Sequence, residues 1–169
     1  FIILKNGDTK KFISLTNSLI LKNYPLYSIF DNILNPVLDR IGKEWKKGKI
    51  TISQEHLATE IIKKIISNIN FQYEPKKATQ NAFCFTLVND KHDIPLHMGE
   101  AIINQVENIK TYNLGSNLPV DDFINLSKKI NPEIKFISII FIENKKRTIE
   151  EVKLLYQTSK NTKTKIFLI

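Results

Sequence analysis

Sulfur is scarce in this chain, and its one cysteine, Cys84, lies between Phe83 and Phe85 in an apolar run. A disulfide framework is therefore excluded, and a reduced, buried thiol in a cytoplasmic setting is expected. Long apolar runs are also missing. No stretch of roughly eighteen hydrophobic residues occurs, and the greasiest segment, KFISIIFIEN, has only strand length, so neither a membrane span nor a signal peptide is supported. The lysines lack an aromatic platform or a helix-turn-helix pattern. A net charge of +8 would suit a nucleic-acid partner, because lysines neutralise phosphates and release counterions. Yet they lie scattered in KKF, EWKKGK, IIKKI, PKK, SKK and NKKR, and bias toward Lys, Asn and Ile is the simpler explanation. What is present is 42% hydrophobic residues over 169 positions, enough to pack one ordinary domain or two small ones.

Residues 1–73 read as helices. Asp8 is a plausible N-cap for a helix carrying Phe12, Leu15 and Leu19, which breaks at Lys22-Asn23-Tyr24-Pro25. From Pro25, a first-turn residue, Phe30, Ile33, Leu34, Val37, Leu38, Ile41 and Trp45 form one stripe, with Trp45 at the far end of the buried face. Pro36 should kink or divide this helix. Thr51 and Gln54 have the form of a capping box for a core-facing helix with Leu57, Ile61, Ile62, Ile65, Ile66 and Ile69. Glu55 and His56 then lie in its first turn. Residues 74–80 read as a linker.

From residue 81 the rhythm changes. Strands are expected at 82–88, 109–114, 135–142 and 165–169, alternating with helices in PLHMGEAIINQVEN, in VDDFINLSKKI and around Ile149, Val152 and Leu155, the last capped by Thr148 and Glu151. That order predicts a parallel, doubly wound Rossmann-like sheet, with ligands at the carboxyl ends of the strands. The expected class is thus α plus α/β: a helical bundle followed by a flavodoxin-like domain over residues 81–169. The chain begins at Phe1 rather than Met and stops with strand four, so both ends read as incomplete.

Two stretches carry chemistry. EWKKGKITISQEHLATE holds Trp45, nine intervening residues, then Glu55 and His56; VNDKHDIPLHMGEAII holds Asp90 and His92. A histidine at a strand edge can give one ring nitrogen to a metal while a carboxylate takes the proton on the other. Together they resemble the cobalamin-binding light sensors of the CarH and LitR type, which are MerR-family transcription regulators. The resemblance implies that His92, in a D-x-H pattern, replaces the cofactor's own base as lower cobalt ligand. It implies that Trp45, Glu55 and His56 cap the opposite face, against the 5′-deoxyadenosyl group. Tyr112-Asn113-Leu114-Gly115 with Pro119 resembles the family's turn after the second strand, and Ser138-Ile139-Ile140 its contact with the buried nucleotide tail. Leu114, Gly115, Ser138 and Ile140 thereby join the cofactor-binding set. A buried serine among isoleucines needs a partner, either a ligand or a backbone carbonyl.

The resemblance further implies adenosylcobalamin as cofactor, cofactor-dependent homo-oligomers, DNA contact through a separate N-terminal domain, no membrane and no catalytic turnover. Three departures stand out. Pro95 replaces a glycine and either tilts the corrin or is tolerated, and the later glycine pair is absent. Lys46 stands where CarH has a light-state histidine ligand, and a protonated lysine binds cobalt poorly, which leaves His56 or His97 as substitutes. Otherwise His97, early in a helix, suits a capping or surface role. A corrinoid carrier of a methyltransferase and a regulator domain that has lost its cofactor remain alternatives.

Overall fold

Asp8 opens the first helix as expected, its side chain accepting from Lys11 N at 3.1 Å. The computed structural model describes residues 8–73, 77–106, 108–160 and 162–168. They form two units, a helical one ending at Phe71 and an α/β one beginning at Gln72.

In the helical unit, α1 (Thr9–Leu21) buries Phe12 and Thr16. Leu15 is exposed, contrary to the expected stripe: the Thr16 hydroxyl is satisfied by the Phe12 carbonyl at 3.1 Å and can go inside in its place. Pro25 is the N-cap of α2 (Leu26–Ile29) rather than a first-turn residue. A π-helical turn (Phe30–Leu34) follows, and α3 (Asn35–Lys46) continues from it with helical dihedrals throughout. Pro36 supplies the reason. Its ring would collide with the Asn32 carbonyl of an ordinary α-turn, and the wider turn, closed by Asn35 N–H on the Phe30 carbonyl, relieves the clash without ending the helix.

The capping box forms as the spacing predicts: Thr51 N donates to Gln54 Oε1 at 3.0 Å, and Gln54 N to Thr51 Oγ1 at 3.2 Å. It starts α4 (Ile52–Gln72), which buries Ala58, Ile61, Ile62, Ile65, Ile66 and Ile69. Each buried isoleucine stabilises by roughly 1.5–3 kcal/mol, more than its β-branched helix penalty of a few tenths. Two residues depart from the expected core. Trp45 is 45% exposed and Leu57 47%. Trp45 is the penultimate residue of α3, beyond Ile41, and Leu57 precedes Ala58 on the face turned from the isoleucine stripe.

The α/β unit contains β1 (Ala78–Thr86), α5 (Ile94–Ile103), β2 (Asn108–Asn113), α6 (Val120–Ile130), β3 (Ile134–Ser138), α7 (Lys145–Ser159) and β4 (Lys165–Leu168). The strands are all parallel, in the order β2-β1-β3-β4. One face carries Phe83, Phe85 and Ile137 against Val120, Phe123 and Ile124 of α6 and Leu155 of α7. The other face packs on α5, so closely that a Cβ on Gly99 would lie 2.5 Å from the Phe136 ring. Glycine at 99 thus lets helix meet sheet. Several boundaries move from expectation. β1 starts at Ala78, inside the expected 74–80 linker, and ends at Thr86 rather than 88, because its first residues already pair with β2 from Asn108 on. β3 ends at Ser138 instead of 142, because the next residues turn to meet Asp90, and α7 is capped by Asn144, which accepts from Arg147 N, not by Thr148 and Glu151.

Lys135 on β3 is 3% exposed, with its ammonium 2.6 Å from Ser159 Oγ and 5.2 Å from the Phe123 ring centroid. Burial pushes its pKa below the usual lysine value. A depressed lysine weakens the fold while charged, and that cost fades as pH rises past the folded pKa. Lys135→Met should therefore raise the unfolding free energy near neutral pH by about 1–2 kcal/mol, with the gain shrinking in alkali; urea titrations across that range measure it.

Candidate functional site

Strand order reverses between β1 and β3, so the chain leaves the sheet in opposite directions from neighbouring strands, the switch point at whose carboxyl ends ligands of such sheets bind. Asp90, 1% exposed, lies at that point. Its Oδ1 accepts from His92 N at 3.0 Å and lies 2.7 Å from His92 Nδ1; its Oδ2 accepts from Ile140 N at 2.7 Å and Phe141 N at 3.1 Å. Burial alone would raise this carboxyl's pKa, but the bonds from Phe141, His92 and Ile140 outweigh it and hold the group below the ordinary aspartate value.

An ionised Asp90 only accepts, so His92 Nδ1 carries a proton, and in the neutral ring Nε2 is the nitrogen with the lone pair. The imidazole is 55% exposed in its side chain, so this second nitrogen can reach a ligand. Among the described residues no cluster of three or more His, Cys, Asp or Glu is arranged around a metal. What the loop after β1 offers is thus a single imidazole nitrogen donor, oriented by Asp90.

The surrounding loops are tied to Thr86 at the end of β1. Its hydroxyl donates to the Asp90 carbonyl and accepts from Asn117 N, and its own N donates to the Gly115 carbonyl. Asn89 and Asn117 adopt positive φ of 72° and 61°, and Asn89 N donates to Asn117 Oδ1 at 2.8 Å. Asn89 Nδ2 also bonds Glu143 on the loop after β3. Sequence reasoning missed these asparagines, although Asn in a short loop after a strand is a signal for left-handed backbone. It also missed Phe141 and Ile142, which with Ile140 leave three apolar side chains half exposed beside Asp90's backbone partners.

Ser138 ends β3 fully buried, and its hydroxyl has no hydrogen-bond partner among the described residues. Such a group costs stability unless something reaches it. Leu114 and Gly115 follow β2; Leu114 N donates to the Cys84 carbonyl, and Gly115 takes φ 80° with open space where a side chain would project. The structure thus joins Asp90, His92 and Ile140 directly, and Gly115 to them through Thr86. Pro95 lies in the first turn of α5, where no backbone donor is required of it.

In the helical unit, Glu55 and His56 stand in the first turn of α4, with Glu55 Oε2 2.5 Å from His56 Nδ1. The His56 side chain is 72% exposed, Glu55 25%. Trp45 precedes them by the short connection 47–51 and presents a half-exposed indole.

Residues 3–70 match the family model described as B12 binding domain, which supports a cobalamin as the cofactor class. The HTH-type transcriptional repressor CarH of Myxococcus xanthus is 23% identical over 122 residues, 72% of this chain and 40% of that protein. The chain thus spans about two fifths of the curated relative it matches. Among solved structures, the Methanosarcina barkeri monomethylamine corrinoid protein superposes with a TM-score of 0.71 at 13% identity, over 98% of this chain and 79% of that one. The architecture, helices followed by a parallel four-stranded Rossmann-like domain, is that of corrinoid proteins.

Two outcomes follow. Ser138→Ala should stabilise the chain by about 1 kcal/mol, because it removes an unsatisfied hydroxyl; thermal melts measure the effect. Asp90→Asn should cost about 1–3 kcal/mol near neutral pH. Because the folded carboxyl has a depressed pKa, its stabilisation is complete above the unfolded pKa and lost as pH falls through the folded one. The gap between wild type and Asp90→Asn should therefore close on acidification, as denaturant titrations at stepped pH would record.

Proposed function

We propose that this chain is the adenosylcobalamin-binding sensory part of a light-responsive transcription regulator, without catalytic turnover. The carrying observation is His92, whose protonated Nδ1 is fixed by the buried Asp90 and whose Nε2 is left available as lower cobalt ligand. The likeness to a helix-turn-helix repressor supports a regulatory setting.

Ser138 and the Ile140 segment suit the cofactor's nucleotide tail and flat apolar edge, and Leu114 and Gly115 form the rim after β2. Trp45, Glu55 and His56 serve the adenosyl side: an indole makes an apolar wall, and a carboxylate oriented by an imidazole accepts ribose hydroxyls. When bound, the cofactor supplies a cobalt–carbon bond that light breaks. Around it these residues bind, orient and exclude water. Cofactor-dependent self-association and DNA contact through an N-terminal domain outside this chain complete the proposal. Lys46, exposed at the end of α3, leaves His56 as the nearer candidate for any imidazole ligand after illumination.

A second reading, a corrinoid carrier for methyl transfer, draws on the fold shared with the monomethylamine corrinoid protein. It needs no adenosyl-sized wall, and Trp45 with Glu55 and His56 weighs against it.

Mixing the chain with adenosyl- and methylcobalamin in the dark, desalting, and recording spectra before and after green light separates the readings. Retention of the adenosyl form with photolysis, lost in Trp45→Ala and in His92→Ala, is the expected outcome. Preference for the methyl form would favour the carrier, and a colourless protein would leave neither.

A further inference from the structure

His97 is not used by the proposed cofactor chemistry, yet it meets a polar bridge between α5 and the end of β2. Its Nδ1 lies 3.2 Å from Asn113 Nδ2, and that same nitrogen donates to Glu100 Oε2 at 3.2 Å. Asn113 Oδ1 accepts from Gly115 N at 3.0 Å. The amide's orientation is thus fixed at both ends, since a flip would set donor against donor at Gly115 and acceptor against acceptor at Glu100. His97 Nδ1 must therefore be the lone-pair nitrogen, and the bridge as built requires a neutral ring protonated at Nε2.

We propose that Asn113 is a positioning residue that holds the Leu114–Gly115 turn only while His97 is neutral, making this rim of the sheet pH-sensitive. The effect on cobalamin rests on the proposed function; the device itself does not.

When Nδ1 takes up a proton it becomes a donor facing the donor of Asn113. The imidazolium is then drawn to Glu100 Oε2, 3.8 Å away, and displaces the amide from that carboxylate. Asn113 turns its oxygen toward the new N–H, and the Gly115 bond is lost. Gly115, at φ 80°, then keeps only its carbonyl contact with Thr86 N at 3.2 Å.

The charged groups around His97 support this exchange. α5 itself carries Glu100 and, at its start, Asp93, whose carbonyl accepts from His97 N. β1 contributes the buried Cys84 thiol, which burial and then Glu100 keep protonated. On the α5 face, alternation places Ile109, Thr111 and Asn113 from β2 and Ile134, Phe136 and Ser138 from β3, none of which titrates near neutrality. Among the described residues, carboxylates are thus the groups that would receive an imidazolium.

The test is the amide-exchange protection factor of Gly115, measured by NMR on the cofactor-free chain between about pH 5 and 8, which removes the intrinsic pH dependence of exchange. Wild type should lose protection by about fivefold on acidification, the effect of one hydrogen bond. His97→Gln, which offers a permanent acceptor, should stay flat. Asn113→Asp should reverse the sign, because a carboxylate still accepts from Gly115 but holds His97 only as the imidazolium. A flat wild-type profile, or the same fall in His97→Gln, overturns the proposal. Hydroxocobalamin binding at both ends of the range separates the two levels: a working device with pH-indifferent binding removes Leu114 and Gly115 from the cofactor site and leaves the switch standing.

Discussion

One carboxylate organises the carboxyl edge of the sheet. Burying an anion costs several kcal/mol unless donors replace water, and Asp90 receives them from both sides of the strand-order reversal. One oxygen serves His92 on the loop after β1, and the other serves two amides on the loop after β3. The same group thus orients the imidazole, sets its tautomer and ties two loops together. Thr86, Asn89 and Asn117 extend that lattice to the loop after β2. What the lattice leaves available is the outer nitrogen of His92 and a row of half-exposed apolar side chains.

The helical unit solves a different problem. Its core is secured by the isoleucine face of α4, so residues at the α3 to α4 connection are released from packing duty. Trp45 stays half exposed, and Glu55 with His56 forms a surface pair. That half-exposed indole is what the proposed adenosyl wall is built on.

Much of this was legible in the residues. Alternating strand and helix rhythms gave the parallel sheet, the Thr51 and Gln54 spacing gave the start of α4, and D-x-H placed Asp90 beside His92. The rest depended on tertiary context. Periodicity continues along a stripe after the partner surface has ended, so Trp45 and Leu57 were assigned to a core they do not reach. Hydrophobicity carried the third strand through Ile142, whereas the buried charge of Asp90 draws the Ile140 and Phe141 amides out of the strand. Backbone amides leave no trace in side-chain identity, so that contact could not be read. The π-turn before Pro36 was foreseen only as a disturbance, because several geometries relieve the same clash.

The most direct measurement is the electron paramagnetic resonance spectrum of cobalt(II) cobalamin bound to chain labelled with nitrogen-15 histidine. If His92 Nε2 ligates the metal, the nitrogen splitting on each cobalt line changes from a triplet to a doublet on labelling, and the doublet is lost in His92→Ala. A triplet that persists in the labelled protein would mean that the cofactor keeps its own base, and that His92 is not the ligand.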